Sequence, residues 1–63
     1  MKTQYDPETD AFYVRFADGK VLESQEVSPG IILNFDAHNR VIGLEVLDAR
    51  TRLASGALVA AAE

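Results

Sequence analysis

Residues 11–47 read AFYVRFADGKVLESQEVSPGIILNFDAHNRVIGLEVL, and the punctuation of this stretch decides the fold. Four short apolar runs, Ala11–Phe16, Val21–Val27, Ile31–Phe35 and Val41–Leu47, each end on a turn signal. Those signals are Asp18-Gly19, Ser28-Pro29-Gly30, Asp36–Arg40 and Asp48. Strand-length runs separated in this way by Gly, Pro, Asn and Asp spell an antiparallel sheet. The expectation is a mainly β (α+β) domain: a four- to five-stranded antiparallel meander followed by one C-terminal helix.

Working outward, Lys2–Tyr5 is a candidate fifth, edge strand, and Asp6-Pro7-Glu8-Thr9-Asp10 is a turn by composition. Alternation along the first run sets Phe12, Val14 and Phe16 against Ala11, Tyr13 and Arg15. Val21–Val27 is the most polar run and reads as an edge strand, where Glu23 and Glu26 discourage stray pairing. Pro29-Gly30 fits a type II turn. Asn39 stands where a left-handed residue is expected. Asp48 is a helix N-cap, and alanine-rich Ala49–Glu63 is predicted helical to about Leu53 or Ala54, with Gly56 as its interruption.

Size sharpens the problem. Sixty-three residues form one domain, 1–63, without a cysteine to staple it and with a single histidine. Surface scaling gives roughly 6,000 Å² buried on folding. With about 60% of that apolar, the gain is on the order of 90 kcal/mol. Chain ordering costs on the order of 95 kcal/mol. The two terms cancel, so self-association is the expected route to further burial. Ten acidic against six basic residues give a net charge of −4. That disfavours nucleic acid and anionic membranes and is compatible with a basic protein partner. No apolar leader and no membrane-length run is present, which with the absence of cysteine points to the cytosol.

Three segments carry a resemblance: Tyr5-Asp6-Pro7-Glu8-Thr9-Asp10-Ala11-Phe12-Tyr13-Val14-Arg15-Phe16, Val27-Ser28-Pro29-Gly30-Ile31-Ile32-Leu33-Asn34-Phe35-Asp36, and Arg40-Val41-Ile42-Gly43-Leu44-Glu45-Val46-Leu47-Asp48-Ala49. In order and spacing they resemble the small prokaryotic family known as domain of unknown function 2283. Asn39 departs from the family's loop glycine, and the tail after Leu53 follows no family pattern. The resemblance implies a small, mostly β protein and brings no activity, substrate or cofactor. An antitoxin-like role beside a short neighbouring protein follows only by analogy.

The candidate chemistry is sparse. Asp6, Glu8 and Asp10 are spaced like calcium-loop ligands, but Ala11 and Ala17 stand where that loop needs Gly and Glu. No metal and no cofactor is expected. His38 follows Asp36 by two positions, and Ser24, Ser28 or Ser55 would have to serve as nucleophile without a nucleophile elbow. The expectation is therefore a non-enzyme with no catalytic residues. Arg40, Arg50 and Arg52 make no shared helical stripe. Tyr13, Arg15 and Glu45 are the candidate interface or ligand residues, with Arg15 and Glu45 read either as a cross-strand or inter-subunit ion pair or as solvated charges. Gly43 beside them marks a bulge or a close approach.

The apolar face is the strongest functional signal. Phe12, Val14, Phe16, Ile31, Leu33, Phe35, Ile42, Leu44 and Val46 line one side of the sheet, more than one short helix covers. The sequence thus predicts a homodimeric protein–protein interaction module. The alternatives are an antitoxin-like neutraliser of a basic partner, or a small-ligand protein with its site at the dimer interface.

Overall fold

A computed structural model describes residues 1–58. The elements in chain order are β1 (Lys2–Asp6), β2 (Ala11–Arg15), β3 (Glu23–Ser28), β4 (Ile31–Phe35), β5 (Val41–Val46) and α1 (Ala49–Arg52). All neighbouring strands are antiparallel, in one sheet ordered β1-β2-β5-β4-β3. The mainly β class, the fifth strand and the short C-terminal helix agree with the sequence pattern. No helix among the described residues is long and apolar enough to cross a membrane.

The winding differs from a simple meander at one place. β1–β2 is a hairpin and β3–β4–β5 is a meander, but the link from β2 to β3 passes the ends of β5 and β4. Asp18-Gly19 therefore starts a crossing connection, not a hairpin. Arg15 Nε donates to the Ala17 carbonyl at 3.0 Å, and its guanidinium also reaches the Gly19 carbonyl. Gly19 itself has φ of 143° and passes so close to Ile42 that a β-carbon would stand 2.9 Å from its Cδ1. Pairing preference supplies the driving force. Beside β2, β5 sets Val46 against Phe12 and Leu44 against Val14, whereas β3 would offer Glu23 and Gln25. Apolar cross-strand pairs belong at the centre and the polar strand at the rim. Val21 and Leu22 fall in the connection, so β3 starts two residues later than the apolar run.

The turns are chemically legible. Gly30, at φ 78°, fits the second corner of the Pro29-Gly30 turn, and Asn39 is left-handed at φ 59°. The Asp36 carboxylate accepts the amides of His38 (2.8 Å) and Arg40 (3.0 Å), closing the β4–β5 turn. Asp6 accepts the amide of Glu8 at 3.0 Å in the β1–β2 turn.

The helix is shorter than its alanine content suggests. α1 runs for one turn, and Leu53 is already extended at φ −89°, ψ 150°. Asp48 holds the N-cap position, as expected, but in a left-handed conformation (φ 52°) and without a side-chain capping bond. The reason is tertiary. Asp48 reverses the chain as it leaves β5, and the Ala49 amide bonds the Asp10 carbonyl at 3.0 Å. Gly56 has φ 93°, a conformation that interrupts a helix. The expected helical tail after Leu58 lies outside the described residues.

Candidate functional site

Register assigns every side chain to a face. Cross-strand partners share a side, so Phe12/Val46/Ile31 and Val14/Leu44/Leu33 form continuous apolar rows. Tyr13/Glu45/Ile32 and Arg15/Gly43/Asn34 form rows on the opposite side, extended by Ser24 opposite Asn34.

The apolar face is only partly covered. Val14, Ile42 and Val46 are buried with Ala49, whereas Phe12, Ile31, Leu33, Phe35 and Leu44 are half-buried and Phe16 is 44% exposed. α1 does not lie across this face. It is fastened at the sheet end that carries the β1–β2 and β3–β4 turns. The Asp10 carboxylate accepts the Tyr5 hydroxyl at 2.6 Å and the Arg50 amide at 3.1 Å. The Arg50 guanidinium lies 5.8 Å over the Tyr5 ring. On the other side, Arg52 packs so close to Gly30 that a β-carbon there would meet Arg52 Nε at 2.5 Å. The two arginines thus clasp different turns.

The opposite face carries a polar strip across four strands. Arg15 Nη1 donates to the Tyr13 hydroxyl at 3.3 Å. Gly43 leaves room for that hydroxyl, and a β-carbon there would meet it at 2.7 Å and Asn34 Nδ2 at 3.1 Å. Asn34, a buried polar residue, accepts the Ser24 hydroxyl at 2.6 Å. Both readings of Gly43 have a counterpart. The β4–β5 register shifts just beyond it, and the close approach comes from a side chain.

Tyr13 and Arg15 come together in the wall of an open depression of about 380 Å³, with Lys2, Thr3, Gln4 and Asp18. Glu45 lies opposite Tyr13 on β5 and does not line it. The guanidinium of Arg15 is committed to Ala17, Gly19 and Tyr13, so of the readings left open for it the cross-strand pair with Glu45 is not formed. Asn34 and Lys2 were not singled out by the sequence. The available signal was a polar residue at mid-strand on the face turned away from the apolar row.

The remaining candidates have local duties. Asp6 and Asp10 bind separate amides, and among the described residues no three His, Asp or Glu side chains converge as metal ligands. Asp36 is occupied by turn amides, and those of Arg40 and then His38 hold its carboxyl below the usual value. His38 sits exposed in the same turn.

Over residues 2–50 the chain matches the model of a family described as protein of unknown function (DUF2283), and it belongs to that family. The match takes in all five strands and the start of α1. No curated protein and no solved structure shows a significant match.

Proposed function

We propose that this DUF2283 member is a non-enzymatic protein–protein interaction module that pairs with a second copy of itself through its apolar face. The observation that carries the reading is the contrast along one surface: six apolar side chains in two continuous rows, with Phe16, Ile42 and Phe35 beyond them, and of these nine only Val14, Ile42 and Val46 are buried. A lone layer of sheet leaves such a face wet, and a stable domain buries it against a second layer.

A second copy suits the face because its rows carry no charge on β2, β5 and β4. An isologous two-fold pairing centred on β2, β5 and β4, at the ~10 Å spacing of stacked sheets, leaves the rim charge of Glu23 in water. The acids of the exposed strand β3 stay at the rim: Glu26, opposite Ile32, is on the other face, and Glu23, opposite Phe35, borders the apolar rows at the sheet edge. Light scattering on the purified chain at micromolar concentration tests the reading. The expected mass is at least twice 6.9 kDa, and Leu33→Glu lowers it while the sheet signal in circular dichroism persists. A wild-type mass of 6.9 kDa overturns it. In that case a basic neighbouring protein becomes the occupant to test, by co-expression.

A further inference from the structure

The two edges of the sheet are built differently. β3 is fully exposed, carries Glu23 and Glu26, and is bulged between Glu26 and Ser28. Charges and bulges are the usual means of blocking an edge against pairing. β1 lacks both devices along its middle: Thr3, Gln4 and Tyr5 are uncharged, and its register against β2 runs unbroken from Lys2 to Asp6.

Backbone parity fixes which groups of β1 are free. The Phe16 amide bonds the Ile42 carbonyl, on the β5 side of β2. Alternation then turns the backbone groups of Val14 and Phe12 toward β5, and those of Arg15, Tyr13 and Ala11 toward β1. Their partners Lys2, Gln4 and Asp6 point inward. The amides and carbonyls of Thr3 and Tyr5 are left facing outward.

The side chains of β1 are self-complementary. When the strand Lys-Thr-Gln-Tyr-Asp is laid antiparallel on itself about Gln4, Lys2 comes opposite Asp6 and Thr3 opposite Tyr5. The free backbone groups are then those of the facing Thr3–Tyr5 pairs, which in an antiparallel ladder exchange both their bonds. A second observation points the same way. Lys2 stands directly opposite Arg15 on β2, and the depression they line holds one carboxylate, that of Asp18, for two cations, so a further anion is favoured there.

We infer that β1 is a second self-recognition edge, joining two copies into one continuous sheet with Gln4 on the two-fold axis. Lys2 faces Asp6 of the partner subunit, whose carboxylate supplies that further anion. Thr3 exchanges backbone bonds with Tyr5 of the partner subunit. Each Asp6 keeps one oxygen on its own Glu8 amide and has the other for the ion pair. The axis stands perpendicular to the sheet, so both copies present their apolar faces on the same side. Edge pairing therefore leaves the proposed face-to-face contact free, and the two interfaces are independent.

The chain contains no cysteine, which permits a register-specific test. Across the axis, the two Gln4 residues form a non-hydrogen-bonded pair with Cα atoms ~4.5 Å apart, within the range that a disulfide spans. Gln4→Cys is expected to give a covalent dimer under mild oxidation, and Ser24→Cys on the opposite edge is not. Adding Thr3→Pro, which removes only an outward amide, is expected to slow the cross-link at least tenfold without altering circular dichroism. Gln4→Cys placed in the Leu33→Glu chain should still cross-link, which separates this edge from the apolar face. Mixing Lys2→Glu with Asp6→Lys should favour the mixed dimer over either self-pair in native mass spectrometry. Absence of a Gln4→Cys dimer, or equal cross-linking of Ser24→Cys, overturns the inference.

Discussion

The Tyr13 hydroxyl stands 2.7 Å from the point that a β-carbon on Gly43 would occupy. A mid-strand glycine is ordinarily a weakness, worth roughly 0.5–1 kcal/mol against alanine. Here it is the floor on which a tyrosine from β2 lies, between the guanidinium of Arg15 and the buried Asn34. Gly43→Ala is expected to destabilise the chain by about 1–2 kcal/mol, overpacking outweighing the backbone gain. Tyr13→Phe removes the nearest atom, so the same substitution in that chain should cost less. Urea denaturation of the four proteins of this cycle measures the coupling, and additivity would show that Tyr13 does not oppose the alanine.

Asp10 joins the β1–β2 turn to α1, and it does so from a left-handed backbone at φ 55°. Asp10→Gly loses the carboxylate but not the conformation, whereas Asp10→Ala loses both. The alanine variant should therefore be less stable than the glycine variant by about 1 kcal/mol. Thermal melting reads this as roughly 4–8 °C. Equal melting temperatures would mean that the turn rearranges when the carboxylate is gone.

Two titrations follow from the same local geometry. The hydrogen bond to Asp10 holds the Tyr5 phenol above its ordinary value of 10.0. Its contribution to stability is complete below that pH and is lost as pH rises through the folded value. Asp36 has the opposite sign. Amide donation from Arg40 and His38 holds its carboxyl below 3.8, so its contribution is present above that pH and lost as pH falls through the folded value. Stability measured across pH should decline at both ends, and Asp36→Asn should flatten the acid limb alone. An unchanged acid limb in that variant would place the titration elsewhere.

Ile42 and Phe16 belong to the same apolar face, yet they differ in exposure, 3% against 44%. Ile42→Ala should cost about 2–4 kcal/mol at any protein concentration, because it opens a cavity inside one copy. Phe16→Ala should cost little in dilute solution and should weaken self-association at higher concentration. Denaturation midpoints compared over a hundredfold range of concentration separate the two effects. A concentration-independent loss at Phe16 would argue that one chain covers it alone.

Much of this protein is written locally. Apolar runs with β-branched and aromatic residues gave the strands, the alternation in Ile31–Phe35 and Val41–Val46 gave the apolar face, and Pro29-Gly30 and Asn39 gave turns whose backbone angles the structure reproduces. These features depend on each residue's own conformational preference and its neighbours within a few positions, so a single sequence carries them. Long-range choices are different in kind. Whether β2 is flanked by β3 or β5 turns on cross-strand pairs between segments some thirty residues apart, and Asp18-Gly19 reads the same in either case. The commitment of Arg15 to backbone carbonyls rather than to Glu45, the bond from Asp10 to Arg50 and the pocket that Gly43 leaves for Tyr13 all required the register to be known. Sequence periodicity determined which side of the sheet is apolar. Only the tertiary structure decided that α1 caps an end of the sheet and leaves that side only partly covered, with Phe16 exposed, because one helical turn pinned to Asp10 does not reach across five strands.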